Sequence, residues 1–184
     1  MIRYRKEVRG MEHMEMVVNL LDHYEASNQD GERWYRESRR YARQLAREYG
    51  GGVGRAAGII AALSPQVRWA RNKTMARDVM ATGTAAGQTG NNLTKAWRIW
   101  NGERPLQVLG GPKVRAFYRA MMGDENAAVI DTWMLQAMGW PQRGVSARQY
   151  ERCAAALAEA ASYTCHSTAE FQAVVWTHVR GGGE

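Results

Sequence analysis

Three short stretches hold residue types that could do chemistry, each beside a feature that would aim them. In Leu109-Gly110-Gly111-Pro112-Lys113-Val114-Arg115, a glycine turn leads into a helix that opens with proline and two cations. Glycine lets a ligand come close to the backbone, and the free N–H groups and dipole of a helix start favour phosphate. Lys113 and Arg115 add charge there. The plain alternative is a helix–helix turn with Pro at the first helical position. In Val129-Ile130-Asp131-Thr132-Trp133-Met134-Leu135, a carboxylate follows apolar residues and begins a helix. Taken alone, that Asp131 reads as an N-cap, which accepts backbone N–H bonds and complements the dipole. In the third stretch, 59–73, an apolar helix ends in Ser64-Pro65-Gln66-Val67-Arg68-Trp69-Ala70-Arg71-Asn72-Lys73. Gln66 can hydrogen-bond a base edge and Trp69 can stack on a base. A capping glutamine and a core tryptophan are the alternatives.

The elements that must position these residues read as helices almost throughout, with no sustained period-2 alternation and no hairpin strand signal. The spacing predicts helices over 11–24, 33–49, 53–63, 69–80, 93–100, 113–122, 147–163 and 169–179, with another opening near Asp131. Residues 53–63 are rich in Ala and Ile and predict a buried central helix. Pro65 ends it, because proline disfavours helical geometry in the residue before it. Ser146 and Ser167 stand ready as N-caps. Residues 81–92 are rich in Gly, Thr, Ala and Asn, which predicts a flexible loop and a possible boundary between two lobes. Residues 181–184 predict a frayed tail. On 33–49, Arg36, Arg40, Arg43 and Arg47 are spaced to form one stripe. With Glu32, Glu37 and Glu48 nearby, a solvated face is the favoured reading and a DNA-facing stripe the other.

Composition bounds the function. The chain has 184 residues, 45% of them hydrophobic, which suits one compact domain with a real core. The net charge of +7 and a pI near 9.7 suit a phosphate-rich partner. Few of the basic residues are lysines, and the planar fork of arginine suits bidentate contact with phosphate or base edges. No membrane span and no signal peptide is expected. Cys153 and Cys165 read as two reduced thiols, too few to hold an iron–sulfur cluster. The four histidines make no ligand pattern with them, and there is no P-loop or dinucleotide fingerprint.

Together and in this order, the three stretches resemble the helix-hairpin-helix DNA glycosylase superfamily over about 53–139. Ala62-Leu63-Ser64-Pro65-Gln66 through Asn72 is similar to the family's L-L-S-A-Q segment and its later Asn, one residue shorter. Leu109-Gly110-Gly111-Pro112-Lys113-Val114-Arg115-Ala116 is similar to its L-P-G-V-G hairpin, and Val129-Ile130-Asp131-Thr132-Trp133 to its V-D-T-H. The resemblance implies that Asp131 is the catalytic aspartate, favouring cationic character at C1′ of an extruded nucleotide. It implies that Gln66, Arg68, Trp69, Asn72, Gly110, Gly111, Lys113 and Arg115 contact DNA. Trp69 and Trp133 are candidates for lining the base pocket, with core packing as the alternative for Trp133. The chain departs from the family at several points. Lys113 replaces the hairpin's second glycine, and Arg115 stands where the lyase lysine would be. Arginine stays protonated and cannot form a Schiff base. Lys113 is the remaining candidate for that role, and Trp133 replaces the family's histidine. A monofunctional base-removing reaction is the implied chemistry.

The chain is also similar to compact phage-encoded members of the superfamily through Trp34-Tyr35, 57–66 and 110–118. For some of these the implied activity is thymine hypermodification, in which an amino acid or amine is joined to an activated 5-methyl group of an extruded base. A DNA-binding module without catalysis is a third reading. The expectation is thus an all-α orthogonal bundle of about eight to ten helices with a DNA groove between two lobes. The protein is expected to be a cytoplasmic monomer that binds DNA and needs no cofactor, metal or membrane.

Overall fold

The helical periodicity resolves into ten α-helices and one 3-10 turn, with no strand among the described residues. The structure, a computed structural model, describes residues 2–86, 90–140 and 144–181, with the backbone alone for 2–12. In chain order the elements are α1 (Ile2–Glu25), the 3-10 turn (Asp30–Arg33), α2 (Trp34–Tyr49), α3 (Gly52–Leu63), α4 (Trp69–Thr82), α5 (Gly90–Trp100), α6 (Pro105–Val108), α7 (Pro112–Met122), α8 (Thr132–Ala137), α9 (Ala147–Ser162) and α10 (Thr168–Val179). No described helix is long and apolar enough to cross a membrane. The expected tail, beyond Gly181, lies outside the described residues.

Two compact units divide the chain, one from residues 1–34 with 125–183 and one from 35–124. The 81–92 segment, expected as a lobe boundary, therefore lies inside the second unit, and 87–89 are outside the described residues.

In the second unit α3 is the centre, as its composition predicts. Every residue from Ala56 to Leu63 is buried, and α4, α5, α6 and α7 all pack against α3. Its small residues set how closely these neighbours approach. A Cβ on Gly58 would lie 2.7 Å from Cγ of Pro105, the first residue of α6. Ile59, Ile60, Leu63, Met75, Val79, Ile99 and Met121 fill the space around it. Each such side chain contributes roughly 1.5–3 kcal/mol on burial. The helix α2 joins through large side chains, with Tyr35 against Phe117 of α7 and Tyr41 donating to the Lys73 carbonyl at 2.7 Å.

The first unit packs α1, α8, α9 and α10 around Leu20, Met134, Met138, Leu157, Phe171 and Val175. Ser146 and Ser167 are the expected caps. Each accepts from the backbone N–H three residues on, and Gln149 and Glu170 reach back to complete capping boxes. The 3-10 turn lies flat on α10 because Gly31 has no side chain. A Cβ there would sit 2.7 Å from Cα of Val174, a backbone atom that cannot rotate away. Gly31→Ala is expected to lower stability by about 2–3 kcal/mol through this overpacking. Urea unfolding should show the loss, with a change in tryptophan fluorescence as Trp34 leaves its place three residues on.

Candidate functional site

In the second unit, α6 is a single turn, closed by Leu109 N–H donating to the Pro105 carbonyl at 2.8 Å. Two glycines then reverse the chain into α7. Gly111 has φ 76 and ψ 144, a conformation open to glycine and strained for other residues. No side chain caps α7, so its first amides face solvent or a ligand. Lys113 is half-buried and Arg115 exposed beside them. The structure adds a cation that the sequence reading missed. Lys95 of α5 points its ammonium at the turn, 3.6 Å from where a Cβ on Gly110 would stand. Among the described residues no carboxylate pairs with it. Nothing local in the sequence marks Lys95, because it comes to the turn only through the packing of α5 against α3 and α6.

At the junction of α3 and α4, Gln66 is exposed and held at φ 61. For a residue with a Cβ this left-handed geometry costs roughly 1–2 kcal/mol, and such strain gathers at functional positions. Arg68, also exposed, is the N-cap position of α4. Trp69 is half-buried against the edge of Tyr41 at 6.2 Å, with the Lys73 ammonium 5.8 Å from its ring. It packs α4 against α2 as well as reaching the surface. Asn72 departs from its expected place on the DNA. It is 1% exposed and donates to the Ile60 carbonyl at 3.1 Å. One turn into α4 it faces inward with Met75 and Ala76, and it ties α4 to the end of α3.

In the first unit Asp131 is the N-cap of α8. Its Oδ1 accepts from the backbone N–H groups of Trp133 and Met134, both at 3.0 Å. Its Oδ2 accepts from the indole Nε1 of Trp176 at 3.0 Å. Trp176 meets Trp34 edge-on at 5.5 Å, and the Arg180 guanidinium lies 4.5 Å from its ring, within cation–π range. The carboxylate thus has three donors, and the indole that supplies one of them meets Trp34 edge-on and carries the Arg180 guanidinium near its ring. Trp133 is 39% exposed, so it stands on the surface beside Asp131 and not in the core. Trp34, Trp176 and Arg180 were not singled out as site residues, since nothing local links them to position 131.

Tyr150 fixes the chain that delivers Asp131. Its hydroxyl donates to the Ala128 carbonyl at 2.7 Å and accepts from Ile130 N–H at 3.1 Å. Burial pushes this phenol up to about 12, the Asp131 charge adding to the rise and the Ile130 bond opposing it.

A family model matches residues 2–183, that of a family of unknown function, DUF7178. The chain belongs to this family. No curated protein and no solved structure matches it. The match spans both units.

The Tyr150 clamp yields a two-part expectation. Tyr150→Phe leaves a buried N–H and carbonyl without their partner and should cost about 2–3 kcal/mol by chemical denaturation. The pH dependence follows from the raised value. Between about 10, the ordinary tyrosine value, and about 12, the unfolded chain has lost the proton that the folded chain keeps. Stability therefore falls as pH rises through that window, and this share of the fall should be absent in Tyr150→Phe.

Proposed function

We propose that this protein binds DNA through the Gly110-Gly111 turn and acts on an extruded base with Asp131, most simply as a monofunctional N-glycosylase-like enzyme. The observation that carries the proposal is an uncapped helix start with the Lys95 ammonium at its turn and Lys113 and Arg115 within its first turn, in a chain of net charge +7. Backbone amides and unpaired cations together hold a phosphate far better than either alone. Gln66, exposed and strained at the end of α3, suits contact with nucleotides beside an extruded base. Asp131 would supply negative charge to a sugar cation forming at C1′. Of the roughly four acceptor positions on a carboxylate, three are filled, which leaves Oδ2 one contact for substrate or water.

That same occupancy favours a second reading, a DNA-binding module in which Asp131 only caps α8. Asparagine usually caps nearly as well as aspartate, but here it would turn an N–H toward the Trp176 indole N–H. Asp131→Asn should therefore cost about 1–2 kcal/mol under either reading. If Asp131 is catalytic, the variant should lose turnover and keep its DNA affinity. Nucleoside mass spectrometry on DNA carrying uracil, 5-hydroxymethyluracil and damaged bases separates the cases. An Asp131-dependent free base supports excision, and an Asp131-dependent new nucleoside means base modification. No change with intact binding establishes the module. Lys113→Ala should weaken binding across sequences and make the salt dependence shallower by about one phosphate contact. An unchanged salt dependence would overturn the hairpin assignment.

A further inference from the structure

On α2 the four arginines at 36, 40, 43 and 47 are all exposed. At about 100° per residue they fall within roughly 60° of one another. Ser38, Ala42 and Leu45 are buried on the opposite side, so the stripe is the outermost line of the helix. Glu37 and Glu48 sit about a quarter turn or more around from it by the same geometry. Arg36 has an interaction of its own, and Arg40, Arg43 and Arg47 carry the argument. Among the described residues no carboxylate forms an ion pair with any of these three.

Like charges three and four residues apart destabilise a helix, and among the described residues no carboxylate pairs with Arg40, Arg43 or Arg47 to offset them. Such a line is relieved by an anion with matching periodic charge. From position 40 to 47 the helix rises about 10 Å, a length over which one strand of a DNA duplex carries about three phosphates. An anionic membrane is a poorer match, because a helix that lies on lipid needs apolar residues flanking its basic face. The flanks here are Glu37, Gln44 and Glu48 on one side and Arg39 and Ala46 on the other.

We infer that the arginine stripe of α2 is a phosphate track, a second backbone contact for nucleic acid beside the Gly110-Gly111 turn. It rests on the DNA-binding reading and is separable from it. The experiment measures affinity for a DNA duplex across a salt series for the wild type, for the triple variant Arg40→Gln, Arg43→Gln, Arg47→Gln, and for Lys113→Ala. In the triple variant the slope of log affinity against log salt should become shallower by about 2–3, near 0.9 for each phosphate released. Thermal stability should stay level or rise, since the repulsion is removed. Arg→Lys at the same three positions should keep the slope. A triple variant that binds with the wild-type slope overturns the track, and so does one whose loss of affinity follows a fall in stability that Arg→Lys shares. Should Lys113→Ala alone change the slope, the track falls and the hairpin stands. Should the triple variant alone change it, the hairpin falls and the track stands. A wild type that ignores DNA, or binds anionic vesicles instead, overturns both.

Discussion

The close approach of Pro105 to Gly58 is the constraint on which the second unit depends. The alanines and glycine of α3 let four neighbouring helices come near a single axis, and α6 is the one with least of its own to hold it. A four-residue helix cannot be stable by itself, because nucleating one turn costs more than its few hydrogen bonds return. Packed on the face of α3, with its first ring against the bare Cα of Gly58, it becomes fixed. The Leu109–Gly111 reversal inherits that position, and so does the start of α7. The same packing brings α5 alongside and carries Lys95 to the turn. The cationic turn is thus a consequence of small residues two helices away. Its charge is local, but its geometry comes from the core.

The first unit applies the same logic to a carboxylate. Asp131 has no freedom left to choose its direction. Backbone N–H groups hold one oxygen, an indole holds the other, and Tyr150 fixes the residues immediately before it. A cap and a catalytic carboxylate need not compete, since both require an oxygen held in place by donors. What the cap removes is acceptor capacity. A group with one remaining position serves better as fixed charge than as a shuttle for protons.

Legibility in the sequence followed the range of each interaction. The capping boxes at Ser146 and Ser167 and the burial of α3 were readable because each depends on residues within a few positions. The fold class and nearly every helix followed from the same short-range periodicity. The hairpin turn was readable because Gly-Gly-Pro is its own signal. Lys95, Tyr150 and Trp176 were not readable, since their partners lie 15, 22 and 45 positions away. The division into units was equally hidden, because α1 joins a core built mostly from residues after 125, and no composition shift records that pairing. Asn72 was misplaced for a subtler reason. A motif gives the order of residues, but one turn of helix decides which of them faces solvent, and α4 turns Asn72 toward Ile60.

Arginine dominates the basic residues, and its distribution separates two kinds of work. Arg98 and Arg119 are matched by Glu103 and Asp124 five residues on, pairs that close helix ends and add little to surface potential. Arg180 is committed to the face of Trp176. Among the described residues, Lys95 and the α2 trio Arg40, Arg43 and Arg47 have no such carboxylate and therefore contribute more to the field felt by an approaching anion. Both belong to the second unit, while Asp131 and the Trp176 indole belong to the first. Charge of opposite sign thus rests on separate supports, the cations on α2 and α5 and the carboxylate on the cap of α8.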